Sequence, residues 1–120
     1  MNNYVRPVTP LVTSNQVLAF CKNLVPDGTP RYVVSQPISG VPINECFVIV
    51  EEQIRLRGGQ SVVGWEIGHW PGLFLGAVFH AVWQTSEGNW IDITPKAFQS
   101  ERILFLPDPS RRYEGQKASK

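Results

Sequence analysis

The stretch FHAVWQTSEGNWIDITP, Phe79 to Pro95, constrains what this chain can fold into more than any other. Two β-rich runs, Ala77 to Thr85 and Asn89 to Thr94, flank Ser86-Glu87-Gly88 in the pattern of a hairpin. Facing residues on paired strands share a side of the sheet, so the turn length decides which side chains meet. A two-residue Glu87-Gly88 turn would set Gln84 against Ile91 and Asp92 against Trp83, mixing polar and apolar residues on both faces. A three-residue loop sets Val82 against Asp92 and His80 against Thr94. That register collects Phe79, Ala81, Trp83, Ile91 and Ile93 on one face, with Val78, His80, Val82, Gln84, Trp90, Asp92 and Thr94 on the other. Gly88 suits the left-handed position that closes such a loop. His80 and Asp92 become diagonal neighbours within side-chain reach. A histidine oriented by an aspartate asks for a nucleophile, and Cys46 is the candidate.

The rest of the chain supplies a setting for such a site. At 120 residues it is one domain, large enough for a single core. Charged residues at 18% and a formal net charge of +1 give no basis for a nucleic-acid or acidic-membrane partner. No apolar run reaches membrane-spanning length, and MNNYVRPVTP lacks the hydrophobic segment of a signal peptide. The expected compartment is the cytosol, where Cys21 and Cys46 stay free thiols.

In chain order, residues 1–13 read as an extended arm. Ser14 caps a short helix from Asn15 to about Leu24, with Cys21 a small buried hydrophobe on its apolar side. Arg31 to Gln36 reads as a strand. Asn44 is the expected N-cap of a second helix, and Gly58-Gly59 its stop. The β-branched run Cys46 to Val50 also suits the opening of a strand, but the segment's length and closing glycine pair favour helix. Gln60 to Gly68 reads as a strand with Gly64 as a bulge. His69-Trp70-Pro71-Gly72 reads as a loop, Leu73 to Thr85 as the long strand into the hairpin, and Arg102 to Leu106 as a last strand. The domain spans 1–106, and 107–120 reads as a mobile tail. The expected fold class is α+β, an antiparallel sheet with one or two helices packed on one face.

At the start of a helix, the partial positive charge of the terminus stabilises a thiolate on Cys46. His80 would pair with it, and Asp92 would fix the imidazole tautomer. Taken singly, each residue is more often structural: a buried cysteine, a core histidine, a strand aspartate. Asp92, between two isoleucines, demands a partner most strongly. A metal site built from Cys46, His69, His80 and Asp92 is the rival chemistry. No short-spaced ligand pair supports it, and neither a metal nor a cofactor is expected.

The order Cys, His, Asp, with HAVW at His80 to Trp83 and WIDITP at Trp90 to Pro95, resembles the core of transglutaminase-like domains within the wider papain-like group. The similarity spans about Gly40 to Pro95 and includes GGQSVVGWEI, Gly58 to Ile67. It implies a cysteine that begins a helix packed on an antiparallel sheet, with the histidine and aspartate on adjacent strands. Cys46 would be the nucleophile, His80 the general base and acid, and Asp92 the orienting carboxylate. The chain departs from the family pattern in its short length and in carrying Asn44-Glu45-Cys46 where Gly-x-Cys is usual. The resemblance makes Gln36 and Tyr32 the candidate oxyanion donors beside the Cys46 amide. Trp90 shares the face of His80 and Asp92 and would wall the site, with Trp70 as a lid. The expected function is a small cysteine hydrolase of an amide, ester or thioester, acting on a small-molecule or peptide acyl substrate. The alternative is a non-catalytic binding or structural module on the same fold.

Overall fold

A computed structural model describes residues 6–112. Five strands and two helices follow in the order α1 (Asn15–Leu24), β1 (Arg31–Ser35), α2 (Cys46–Arg57), β2 (Gln60–Trp70), β3 (Phe74–Gln84), β4 (Trp90–Asp92) and β5 (Arg102–Pro107). The strands close into a barrel in the order β1-β4-β3-β2-β5. This corrects the open sheet with helices on one face. Strand β1 joins both edges, lying parallel to β4 through Val34–Ile91 and Ser35–Asp92, and antiparallel to β5 from Arg31–Phe105 to Val34–Arg102. Closure leaves no free edge to be protected.

The closed sheet explains the hairpin's two faces. The register is the three-residue-loop one, with Trp83 opposite Ile91 and Gln84 opposite Trp90. The Gly88 amide donates to the Thr85 carbonyl, and Gly88 itself has φ of 93°. The face bearing Ala81, Trp83, Ile91 and Ile93 points outward and is covered by Cys46, Ile49 and Val50 of α2. The other face points into the barrel, where Val82 packs with Val33, Ile103, Phe105, Val62 and Trp90, all from strands. Helix α1 covers a different outer surface, pressing Val17 and Cys21 on Ile67, Leu104 and Leu106. The helices thus sit on separate parts of the barrel wall.

Several local expectations change for identifiable reasons. Gly64 is not a bulge, because the β2–β3 ladder runs unbroken from Gln60–Gln84 to Trp70–Phe74. It is needed where β5 crosses: a Cβ there would stand 2.2 Å from the Leu106 carbonyl oxygen. The first half of the expected loop at His69–Gly72 is strand, since Trp70 still pairs with Phe74 and His69 bridges Val8 of the arm, and Pro71-Gly72 form the turn. Pairing of β2 with β5 ends at Ile67, so the tip of the β2–β3 hairpin projects past the barrel mouth. At the other end of the chain, Pro107 still belongs to β5, and buried Asp108 accepts a hydrogen bond from the Trp65 indole at 3.0 Å. Order therefore extends beyond Leu106. The remainder of the expected tail, residues 113–120, and the start of the arm, residues 1–5, lie outside the described residues.

Candidate active site

Cys46 is the first residue of α2. Asn44 does not cap the helix; it adopts φ of 62° and donates its amide to the Pro95 carbonyl at 3.0 Å. Asparagine is among the few side chains that enter this left-handed region at modest cost. That bond ties the entry of α2 to the segment just after β4, which brings Cys46 against the barrel mouth. Glu45 takes the capping position without a side-chain hydrogen bond. The first-turn amides therefore gain no acceptor from it, and their partial positive charge stands beside the sulfur.

His80 on β3 and Asp92 on β4 meet as diagonal neighbours, His80 Nε2 lying 2.9 Å from Asp92 Oδ1. The Cys46 side chain lies beside the same ring, and the two residues line one cavity. Asp92 is fully buried, His80 and Cys46 nearly so. Two further charges complete the group. Lys96 contacts Asp92 Oδ2, and Glu66 Oε1 lies 3.8 Å from His80 Nε2 and 3.7 Å from Lys96 Nζ. Anion and cation alternate around this ring of four.

The ring sets the protonation states. Burial disfavours the imidazolium, but hydrogen bonds to Asp92 and Cys46 and the charges of Asp92 and Glu66 outweigh it, lifting His80 to about 9. Burial likewise works against the Asp92 carboxylate, yet His80 and Lys96 hold it below the usual aspartate range. Burial dominates at Glu66 and pushes its carboxyl up despite Lys96 and His80.

A cavity of about 440 Å³ opens onto Cys46 and His80. Asn44, Glu66, Thr94 and Lys96 add polar groups to its lining, and Trp70 forms part of its wall. Thr94 is buried, and its hydroxyl has no hydrogen-bond partner among the described residues. Buried hydroxyls of this kind are usually met by water or ligand.

Other expected site residues lie elsewhere. The Tyr32 hydroxyl donates to the Pro10 carbonyl and accepts from the Val12 amide, so it ties the arm to the barrel. Gln36 is exposed and meets Asp92 only through its backbone amide, at 2.9 Å from the Asp92 carbonyl. Neither lines the cavity. Trp90 belongs to the opposite end of the barrel interior, edge-on to Phe105 under the Arg31 guanidinium. It faces the same way as Asp92 but two residues away along the strand. His69 pairs through its backbone with Leu75 and Val8, and its imidazole stands outside the group formed by Glu66, His80 and Asp92.

For metal binding, the set that converges among the described residues is Glu66, His80 and Asp92, with ligand atoms within 4.8 Å of one another. Neither Cys46 nor His69 joins it, and the Lys96 ammonium already supplies a cation to both carboxylates. Glu66 and Lys96 were not anticipated from sequence. Glu66 carries the same signal that singled out Asp92, an acid within an apolar strand, GWEIG. Lys96 follows Asp92 by four residues, a spacing without meaning outside a helix. Among the described residues no helix is long and apolar enough to cross a membrane. No family model, no curated protein and no solved structure matches this chain.

Proposed function

We propose that this protein is a cysteine-dependent acyl-transfer enzyme, acting most simply as a hydrolase of an amide, ester or thioester. The observation that carries the reading is one imidazole, held by the Asp92 carboxylate, that shares the wall of a cavity with the Cys46 thiol. The order of these residues and the HAVW and WIDITP motifs resemble transglutaminase-like domains, whose chemistry the reading adopts. Cys46 sulfur attacks the substrate carbonyl, with the α2 first-turn amides facing the developing oxyanion. His80 holds the thiol proton and delivers it to the leaving group. Water then adds to the thioester under His80 base catalysis and releases the acid, restoring the thiol. Asp92 keeps the ring oriented throughout, and Lys96 keeps Asp92 ionised. A cytosolic setting goes with the reading, since Cys21 and Cys46 are both free thiols.

One observation favours a second, non-catalytic reading: Glu66, His80, Asp92 and Lys96 satisfy one another and would serve as a structural plug in the barrel mouth. Iodoacetamide separates the two. A catalytic Cys46 reacts at neutral pH on the order of 100-fold faster than Cys21, and His80→Gln removes most of that advantage. Slow, equal labelling of both thiols would leave the plug as the better account.

A further inference from the structure

We propose that the cavity selects a neutral, apolar acyl group, an aliphatic chain extending from the carbonyl that Cys46 attacks; this inference rests on the acyl-transfer reading above. Four apolar side chains, Trp70, Val78, Phe79 and Phe98, wall the space next to the sulfur. Its volume of about 440 Å³ falls within the usual range for small-molecule sites.

The Trp70 wall is built rather than incidental. Its ring lies over Gly68 and Gly76, where a Cβ would come within 2.9 and 3.0 Å of the indole, and it packs on the Phe74 ring at 4.9 Å between centroids. Two residues without side chains thus form a seat for a flat apolar surface. Val78 and Phe98 are 57% and 47% exposed in spite of their apolar character, and both border the cavity. An acyl chain laid between them removes that surface from water.

Charge points the same way. Glu66, His80 and Lys96 line the cavity with Asp92 behind them, but each is engaged with an opposite charge of the same ring. An anionic acyl chain would meet Glu66, and a cationic one would meet Lys96, with no uncompensated partner for either. A neutral chain meets neither penalty.

The test is a series of p-nitrophenyl esters, acetyl, butyryl and hexanoyl, plus the succinyl monoester as the charged member. In each, the sulfur–carbon bond forms as the ester carbon–oxygen bond breaks, and p-nitrophenolate leaves. The thiol proton passes through His80 to solvent, and water then hydrolyses the thioester. Cys46-dependent kcat/KM is expected to rise with length, by up to about fourfold per methylene, the ratio equivalent to ~0.8 kcal/mol. The succinyl ester should fall below butyryl. Trp70→Ala, and Val78→Ser at an exposed position, should each lower the hexanoyl-to-acetyl ratio by about fourfold. Cys46-dependent release that is flat or falls with length, or a ratio that neither variant changes, overturns the acyl assignment and leaves the cysteine chemistry standing. No Cys46-dependent release from any ester overturns the cysteine chemistry as well.

Discussion

The two helices each carry one cysteine, and they use it in opposite ways. Helix α1 opens on Ser14, whose hydroxyl accepts from the Val17 amide, and its cysteine comes seven residues later, within the packed interface. Cys21 is 1% exposed there, and burial alone pushes its thiol up. Helix α2 opens on Cys46 itself, without a side-chain cap, at the edge of a cavity and against a histidine. Burial is similar at the two sulfurs, so exposure does not distinguish them. What differs is the polar company: hydrocarbon around one, and an imidazole backed by three more charges around the other. A cysteine's surroundings along the helix, rather than its depth, set the two thiols apart.

The contrast should be sharpest in activity. Cys46→Ser is expected to lower hydrolysis of an activated ester on the order of 10⁴-fold, while Cys21→Ser leaves it within about twofold. Equal effects of the two substitutions on kcat/KM would erase the distinction. Asp92→Asn should cost on the order of 10³-fold in the same assay. It should also destabilise the fold by about 3 kcal/mol in urea denaturation, because Lys96 and His80 lose their shared counter-charge in a buried setting.

Stability near the α2 site should depend on pH between about 6.5 and 9, whereas the raised Cys21 thiol of α1 gives a signal only above its ordinary value of 9.0. His80 has its folded value raised above its unfolded one, so its contribution is complete below pH ~6.5 and is lost as pH rises through about 9. The loss should be on the order of 3 kcal/mol, and His80→Gln should abolish this limb of the pH–stability curve. Asp92 acts in the other direction: its folded value is depressed, so its contribution disappears as acid protonates it. A smaller effect is expected at Ser14→Ala, which should remove about 1 kcal/mol by uncapping α1. Smallest is Thr94→Val, which replaces an unpartnered hydroxyl near Cys46 and should leave stability within about 1 kcal/mol or slightly raise it. A fall of several kcal/mol would mean that the hydroxyl has a partner in solution.

How much of this was legible in the chain depends on the distance over which each feature is encoded. The hairpin register was, because the strict two-residue period of Phe79–Thr94 leaves one loop length compatible with both strands. So were the bounds of α1, which local capping and apolar spacing mark, while the start of α2 came one residue after the one an Asn44 cap implies, because Glu45 takes that position. Barrel closure was not. A parallel partner for β1 sits nearly sixty residues away with no turn to announce it, and β1's alternation suits an open sheet equally well. For the same reason the hairpin face bearing His80 and Asp92 carried no mark of a barrel interior. Tyr32 and Gln36 were drawn from family analogy, and their spacing carried no information about which way β1 would turn them. Lys96 became part of the site only because the chain after β4 doubles back over the mouth, and nothing local foretells that.

The seam between β1 and β4 has a consequence for the order of assembly. The Gln36 amide bonds the Asp92 carbonyl, so the strand that carries the aspartate is held on one side by a segment made far earlier in synthesis and on the other by its own hairpin partner. Contacts of such long sequence separation form late. The pairing of His80 with Asp92 therefore waits until the last staves of the barrel are in place, long after Cys46 has been made.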